Sequence, residues 1–469
     1  MKHELPLSRK HFHFIGIGGA GMSGIARILL SLGYEVSGSD LKTSLVTDQL
    51  KVLGASIYKG HEAHYQESAD VIVVSTAIDP SNPELIAGQQ RSVEIMHRAQ
   101  ALAFVMKDFK ALAIAGTHGK TTTTSMLTVA LQTANLDPSF SIGGMINATG
   151  TNAHLGSGEY FVAESDESDG SLLAYSPYAG IITNIELDHV DHFENQEQVD
   201  EIFEKFISRF DSQGILVACG DDPGVKRLLD RVRQKISENF STLTVVTYGV
   251  EEGNDYHIDS LELAPLASRA RVLHKGKNLA RLELSVPGQH NLLNALGVFA
   301  LTRELGIPVV PILDGLAAFT GSRRRFEIKG EVQGIRVVDD YGHHPTEIEV
   351  TLEAARRFAG SGRVITIFQP HRFSRTKQFA RQFTKALAKA DFVFLLDIYA
   401  ASEKPISGIS AEMIAQPGDE KFIYQPSMIR VVENVSQLVE PGDVIITMGA
   451  GDVTTLGPAI LTALTERFE

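Results

Sequence analysis

Short apolar runs that end in glycine or in polar residues recur along the chain, and many are followed by a stretch with helical spacing. In the clearest case a predicted strand over 111–115 breaks at Gly116 and leads through Lys120 into apolar residues repeated every three to four positions. Strands and helices alternate in this way along the chain, which predicts α/β layers built on parallel sheets.

The length of the chain, 469 residues, exceeds one ordinary core, so we expect about three domains. The amphipathic segment 199–210 is expected to be a helix, and a third parallel sheet is expected to end the chain. Further strands are predicted over 11–17, 33–40, 71–78 and 392–396 and in the run that begins at Asp443.

The segment Gly116–Thr121 has the residues of a loop that binds a triphosphate. Glycine N–H groups and a helix start attract phosphate, a lysine reaches the outer phosphates and a hydroxyl binds magnesium. The spacing, G-x-x-G-K-T, is shorter than the general rule, which would place its first glycine at Ile114. The alternative is an ordinary helix start with a solvent-facing lysine. Because threonines lose rotamer freedom in a helix, the run 121–124 favours an anionic ligand with a metal.

A second glycine-rich turn lies near the amino terminus, where the segment 16–21 reads G-x-G-x-x-G after the first predicted strand. Asp40 stands in the place of a ribose-binding carboxylate. The pattern indicates a nucleotide diphosphate, with NAD as the default ligand and a turn without a ligand as the alternative. Ser75 and Thr76 end another strand, at the edge where such sheets bind ligands.

Acidic residues follow the apolar run that starts at Tyr160. They are Glu164, Asp166, Glu167 and Asp169. Ionised carboxylates so close together repel one another unless cations are near. One or two of these acids are therefore expected to bind the magnesium of a triphosphate. An exposed acidic turn is the alternative.

Two aspartates and two histidines occur within 188–192, again after an apolar run, and we favour a metal site over helix caps. Asn291 and Asn294 are three residues apart and share a helix face. Their spacing leaves open whether they recognise a base or a substrate, or merely cap the helix.

Basic residues mark the step to the last part of the chain. The three consecutive arginines at 323–325 are either a solvated surface or residues that domain closure brings to a phosphate. The segments 339–347 and 369–376 repeat the layout of a strand followed by a polar turn, and the second carries two arginines.

Composition narrows the possible partners. A net charge of −14 and a pI of about 5.6 argue against nucleic acid. An anionic ligand remains possible where basic residues are focused. Cys219 is the only cysteine, which suits a reducing cytoplasm. We also expect neither a secretory leader nor a membrane span.

Along essentially its whole length the chain resembles the Mur ligases. Eight motifs in one order are far more specific than any one of them alone, and the loop at 18–24 is similar to that of the members that add alanine. The motifs are GIGGAGMSGIA at 16–26, GTHGKTTT at 116–123, AESDESDGS at 163–171, TNIELDHVDHF at 183–193, GQHNLLNAL at 288–296, RRRFE at 323–327, DDYGHHPTE at 339–347 and QPHRFSRT at 369–376.

The resemblance implies a Rossmann-like domain at 1–108, a P-loop-type ATPase domain at 109–321 and a second Rossmann-like domain at 322–469. It implies a ligase of peptidoglycan synthesis that uses ATP and Mg²⁺. Such an enzyme joins L-alanine to the lactyl carboxylate of UDP-N-acetylmuramate through an acyl phosphate. The glycines at 16–21 would then hold the UDP end of the sugar nucleotide rather than NAD.

The resemblance also assigns roles to residues. Lys120 would hold the β- and γ-phosphates, and the proton acceptor stays open among His189, His344 and Asp340. The implied magnesium ligands are Thr121, Glu164 and His189. The implied nucleotide contacts are Gly116, Thr117, His118, Gly119, Lys120, Thr121, Thr122, Asn291, Asn294, Arg325 and Asp340. The implied substrate contacts are Gly18, Gly19, Ala20, Gly21, Met22, Ser23, Asp40, Ser75, Thr76, His344, His371, Arg372 and Arg375. Lys205 lies near the place of a carbamoylated lysine in relatives, and its role stays open.

Three other functions are weighed against this one. The first is a ligase that joins a preformed peptide to the same UDP-sugar in cell-wall recycling; the loop at 18–24 and the chain length favour alanine. The second is an NAD-dependent dehydrogenase built on 11–40, which would have no need of the segment 116–123. The third is a nucleotide-sensing module without activity. We expect a monomer or a weak homodimer.

Overall fold

The computed structural model describes residues 10–147, 150–168, 170–239, 242–415 and 418–469. Within these residues, three separate sheets with their helices follow one another along the chain, and we call each a domain. The predicted α/β architecture is thereby confirmed. Asp169 lies outside the described residues.

The first domain is a doubly wound sheet. Its elements are β1 (His11–Ile15), α1 (Ala20–Ser31), β2 (Glu35–Asp40), α2 (Leu45–Val52), β3 (Ser56–Lys59), β4 (Val71–Val74), α3 (Pro83–Gln90), β5 (Glu94–His97) and α4 (Arg98–Met106). The five strands are parallel, in the order β3-β2-β1-β4-β5. This is the arrangement in which ligands bind at the carboxyl ends of the strands. β1 and β4 end earlier than predicted because the residues after them turn to form that edge.

The central domain carries the longest sheet. Its strands are β6 (Lys110–Ala115), β7 (Ser139–Ser141), β8 (Ala153–His154), β9 (Tyr160–Glu164), β10 (Ala179–Ile182), β11 (Ile215–Cys219), β12 (Thr244–Gly249), β13 (Tyr256–Leu263), β14 (Ser268–His274) and β15 (Lys277–Leu284). Its helices are α5 (Lys120–Thr133), α6 (Gln196–Ile207), α7 (Pro223–Asn239), α8 (Gln289–Glu304) and α9 (Val309–Ala318). The strand order is β15-β14-β13-β12-β11-β10-β6-β9-β7-β8.

The third domain is a six-stranded sheet. Its elements are β16 (Glu327–Val332), β17 (Ile335–Asp340), α10 (Pro345–Ala359), β18 (Val364–Phe368), α11 (Phe373–Leu387), β19 (Phe392–Leu395), β20 (Phe422–Tyr424), α12 (Met428–Leu438), β21 (Val444–Met448) and α13 (Leu456–Phe468). The strand order is β16-β17-β21-β18-β19-β20.

Antiparallel pairs interrupt the expected parallel sheets at three places, one of which is the pairing of β7 with β8. β13, β14 and β15 pair antiparallel, and β16 pairs antiparallel with β17. For β14–β15 and β16–β17 the physical cause is a two-residue turn, which can join only antiparallel neighbours. Lys275 and Gly276 join β14 to β15, Gln333 and Gly334 join β16 to β17, and all four residues have positive φ.

Packing joins the first two domains more closely than it joins the third. One continuous apolar cluster includes Leu102 and Met106 of the first domain and Ala111 and Phe161 of the central domain. The third domain has clusters of its own on the two faces of its sheet. In the described parts of the chain, each helix is too short or too polar to cross a membrane.

Candidate active site

Two cavities meet at the phosphate loop, the segment Gly116–Gly119 between β6 and α5. The larger cavity has a volume of about 600 Å³ and is lined by loops of all three domains. The second, of about 540 Å³, lies between the central and third domains. Because His118 and Gly119 line both cavities, a long ligand can reach from one into the other past the loop.

The structure gathers most of the expected site residues on these walls. Those that line the larger cavity are Gly19, Ala20, Gly21, Met22, Ser75, Thr117, His118, Gly119, Lys120, Thr121, Glu164, His189, Arg325, His371, Arg372 and Arg375. Those that line the second cavity are His118, Gly119, Thr122, Asn291, Asn294, Arg325 and Asp340. Those that lie away from the described walls are Gly18, Ser23, Asp40, Thr76, Gly116 and His344.

Both ends of the phosphate loop need glycine. Gly116 has a φ of 134°, and a Cβ at this position would lie 2.1 Å from Thr183 Oγ1. Gly119 has a φ of 81°, and its Cβ would lie 2.9 Å from Asn294 Oδ1. The loop is therefore pressed against the residues after β10 and against α8. The N–H groups in the first turn of α5 lack helical partners and can bind an anion.

Lys120 folds back over the phosphate loop. Its Nζ donates to Gly116 O at 2.7 Å, to Thr117 O at 3.2 Å and to Glu167 Oε2 at 2.8 Å. Burial alone would lower the pKa of Lys120, but Glu167 and Asp166 hold it above its ordinary value, so the ammonium group stays charged at neutral pH. The alternative of a solvent-facing lysine is wrong.

Asp166, Glu167 and His189 bring their possible ligand atoms within 4.8 Å of one another. Glu167 is buried, its Oε1 has no hydrogen-bond partner among the described residues, and burial raises its pKa to about 7. Burial would raise the pKa of Asp166 too, but Lys120 and His189 lower it to about 2. Burial lowers the pKa of His189, which favours the neutral imidazole that binds metals. The oxygen-rich set, with one orphaned carboxylate oxygen, fits a hard divalent cation.

Glu164, the expected metal bridge, ends β9 and lines the larger cavity. Its Oε2 accepts a hydrogen bond from the N–H of Gly143. It stands beside the cluster of Asp166, Glu167 and His189 without belonging to it.

The two aspartates and two histidines that follow β10 have different partners, and of the four only His189 joins the group of Asp166 and Glu167. Asp188 forms a buried ion pair with Arg375, 2.7 Å between Oδ1 and Nη2. Burial would raise the pKa of Asp188, but Arg375 holds it well below its ordinary value. Asp191 forms ion pairs with Arg372 and with His192. The chain turns at His189, where φ is 50°, and only that imidazole faces the acids at 166–167.

The second cavity contains the two asparagines on α8. Asn291 Nδ2 donates to Pro287 O at 2.7 Å, across the helix start. Asn294 lies against Gly119. The shared face that the spacing predicts is confirmed, and it faces the phosphate loop.

The third domain supplies the opposite wall of the second cavity. Asp340 accepts hydrogen bonds from the N–H groups of Phe326 and Gly342, each at 2.8 Å. Burial raises the pKa of Asp340 to about 6 even though Arg325 lowers it. Arg325 Nη1 lies 3.4 Å from Glu347 Oε1. The second cavity is therefore closed by charged groups from a different domain.

The front loop, residues 16–21, is braced from behind by a carboxylate. Asp40 Oδ2 accepts from the N–H of Gly18 at 2.9 Å, and Asp40 Oδ1 accepts from the N–H of Lys42 at 3.2 Å. Ala20 O accepts from Asn152 Nδ2 of the central domain at 2.9 Å. The loop is thus fixed to both domains, with Gly19–Met22 facing the larger cavity.

Basic residues are focused at the larger cavity, in a chain with a net charge of −14. Arg98, Lys120, the arginines at 323–325, Arg372 and Arg375 all line it. This focus is what an acidic protein needs in order to bind an anionic ligand.

Several carboxylates at the site were given no individual role by the resemblance. Asp166 and Glu167 are among the four acids of which one or two were expected to bind magnesium, but the resemblance assigns that role to Glu164. Glu186 and Glu347 lie in two of the motifs and meet at His118. The only sequence feature that could have identified Glu186 and Glu347 as site residues is their position just after predicted strands. Lys205 is exposed on α6.

Comparisons with known proteins agree with this geometry. The models of the Mur ligase family, catalytic domain, of the Mur ligase middle domain and of the Mur ligase, glutamate ligase domain match residues 11–110, 114–302 and 324–451. A UDP-N-acetylmuramate–L-alanine ligase from Saccharopolyspora erythraea is 47% identical over 457 residues, which cover 96% of this chain and 92% of that protein.

Solved structures show the same three-domain build. A UDP-N-acetylmuramate–alanine ligase from Thermotoga maritima has a TM-score of 0.81 and 29% identity, with 97% of this chain and 99% of that chain covered. A murein peptide ligase from Psychrobacter arcticus has a TM-score of 0.72 and 25% identity, with 97% and 98% covered. The three family models together cover most of the sequence, and so does the relative from Saccharopolyspora erythraea. The chain therefore belongs to the Mur ligase family.

Proposed function

We propose that this enzyme joins L-alanine to the lactyl carboxylate of UDP-N-acetylmuramate at the expense of ATP. The observation that carries the proposal is a charged Lys120 on a phosphate loop that opens on a cavity shared by all three domains. The Mur ligase family is ATP-dependent. A relative named for the addition of L-alanine is 47% identical, whereas the murein peptide ligase is 25% identical, which favours alanine over a peptide as the second substrate.

The chemistry requires an activated carboxylate, because oxide is not a leaving group at neutral pH. The lactyl carboxylate oxygen attacks the γ-phosphorus of ATP, ADP leaves and an acyl phosphate forms. The amine of L-alanine then attacks the acyl carbon, phosphate leaves and the nitrogen loses a proton. Lys120 offsets the charge that gathers on the phosphates.

The protein holds ATP and the sugar nucleotide on opposite sides of the larger cavity in this proposal. The phosphate loop and the second cavity take ATP, with Asn291, Asn294, Arg325 and Asp340 around its nucleoside. The front loop takes the UDP group. The distance between the two is bridged by the sugar and its carboxylate.

Thr121, Glu164 and His189 would hold Mg²⁺, together with Asp166 and Glu167, whose possible ligand atoms lie within 4.8 Å of that of His189. A bound Mg²⁺ would neutralise charge on the phosphates. Of the three residues considered as proton acceptors, His189 lines the larger cavity, Asp340 lines the second, and His344 lies beneath His118. An imidazole that holds Mg²⁺ has no lone pair left for a proton, so His189 serves either as a metal ligand or as the proton acceptor, and the choice among the three residues stays open.

The remaining expectations stand as part of the proposal. We place the domain boundaries after residues 108 and 321, in the links between the sheets. We also propose a cytoplasmic location and a monomer or weak homodimer; the single cysteine, Cys219, is buried and free.

The test is ADP and amide formation with UDP-N-acetylmuramate and each of the twenty amino acids in turn. We expect both products with L-alanine, in equal amounts, and far less with the other amino acids. A meso-diaminopimelate-containing tripeptide in place of the amino acid is the comparison. Faster turnover with the tripeptide than with L-alanine would contradict the proposal.

A further inference from the structure

A polar junction joins the phosphate loop to the third domain. We define it as His118 and Glu186 of the central domain with His344, Thr346 and Glu347 of the third. The His118 ring lies between two carboxylates, with Nε2 at 3.2 Å from Glu186 Oε2 and Nδ1 at 3.4 Å from Glu347 Oε1. It is 11% exposed and lies against the His344 ring at a tilt of 36°, with 4.6 Å between centroids.

The backbone of His118 is fixed to the central domain. Its N–H donates to Asn184 Oδ1 at 2.8 Å. Its carbonyl oxygen accepts from Thr183 Oγ1 at 2.6 Å and from Asn184 Nδ2 at 3.0 Å. The peptide N–H is thus already used, and the ring points toward the third domain. Neither the peptide N–H nor the ring of His118 is therefore directed at a phosphate.

The third domain presents its half of the junction at the start of α10. Glu347 accepts from the N–H of His343 at 3.0 Å, which fixes the carboxylate at the helix start. Thr346 Oγ1 donates to Glu186 Oε2 at 2.8 Å, a second contact between domains. A displacement of α10 would therefore move the groups that contact His118 and Glu186 in the central domain.

Charge strengthens the junction. Burial alone would lower the pKa of His118, but Glu186 and Glu347 raise it to about 10. Burial would raise the pKa of Glu186, but its partners lower it to about 2. A protonated ring between two ionised carboxylates forms charge-assisted hydrogen bonds, which are stronger than neutral ones.

We propose that His118 is a positioning residue that holds the third domain closed over the phosphate loop while the acyl phosphate waits for the amine. The inference rests on the proposed function, since it needs an intermediate that water can destroy. If the junction opens, water attacks the acyl carbon, phosphate leaves and the carboxylate is regenerated with loss of a proton. ATP is then consumed without amide. The junction lies where both cavities meet, so its opening exposes the place where the intermediate forms.

The test is the ratio of ADP to amide formed at saturating substrates. Glu347→Gln removes the charge opposite His118, and Thr346→Val removes the hydroxyl that reaches Glu186. We expect the ratio to rise from one to roughly two or more in both variants. Glu349→Gln, on the exposed side of α10, and Thr346→Ser, which keeps the hydroxyl, should retain the wild-type ratio. A nucleotide contact or a general loss of stability would slow the reaction without changing this ratio.

A wild-type ratio in both Glu347→Gln and Thr346→Val overturns the proposal, whatever their rates. If Glu347→Gln does not fold, Thr346→Val decides alone. If the wild-type protein forms no ADP with these substrates, the proposed function is wrong. Small-angle scattering then decides the junction: a larger radius of gyration in the two variants than in their controls supports it, and equal radii overturn it.

Discussion

The front loop and the phosphate loop are built on the same frame and differ in the charges placed around it. Each follows a parallel strand and opens a helix, α1 or α5. At the front loop the neighbouring carboxylate, Asp40, accepts a hydrogen bond from the N–H of Gly18. At the phosphate loop Lys120 meets Glu167 directly, with Asp166 and His189 beside it. Both loops therefore offer free N–H groups at a helix start, and the lysine and acids distinguish the phosphate loop, where we propose that a metal-bound nucleotide binds.

Removing Mg²⁺ should separate the two loops most sharply. We expect ADP formation to stop in the presence of EDTA, because the acids around the phosphate loop then repel the triphosphate. Binding of UDP-N-acetylmuramate, measured by calorimetry, should change by less than about two-fold, since the contacts that we propose between the front loop and the UDP group involve no metal. Loss of sugar-nucleotide binding together with ADP formation would contradict this distinction.

Lys120→Ala should have the next largest effect. Removal of one electrostatic donor of this kind costs about two to three orders of magnitude in rate. We expect ADP formation to fall by that factor and binding of the sugar nucleotide to stay unchanged. Lys277→Ala, at an exposed lysine on β15 of the same domain, is the control and should retain activity. Lys120→Ala with a normal rate of ADP formation would remove the basis of the proposed function.

Adding one methyl group to each loop should affect stability differently. Gly116→Ala places a Cβ 2.1 Å from Thr183 Oγ1 at a φ of 134°, and we expect a loss of roughly 2–4 kcal/mol in unfolding free energy. Gly18→Ala places a Cβ 2.8 Å from Asp40 Oδ2, a side chain that can move, so we expect a loss of about 1 kcal/mol or less. Denaturant unfolding measures both, and equal losses would show that the two loops are equally constrained.

The two loops also show what could be predicted from sequence. Glycine spacing after an apolar run located both, because strand, turn and helix start are set by local residues. The cause of the antiparallel turn at Lys275–Gly276 was equally local, yet its sequence gives a weaker signal than Asn-Gly or Asp-Gly. The partners of the acids could not be predicted in this way. Whether Asp188 meets a metal or Arg375 depends on a contact with another domain.

Titration gives the smallest effect, and it concerns only the phosphate loop, since the front loop, GIGGAG, contains no histidine. Glu186 and Glu347 raise the pKa of His118 from 6.5 to about 10, against burial, which alone would lower it. A group whose pKa is higher in the folded than in the unfolded protein stabilises the fold fully below its unfolded pKa, and this stabilisation is lost as the pH rises through the folded value. The Tm difference between wild type and His118→Gln should therefore shrink between pH 6.5 and about 10. His192→Gln, at a side chain that is 46% exposed, is the control and should track the wild type. A Tm difference for His118→Gln that stays constant across this range would show that the ring is held by shape rather than by its charge.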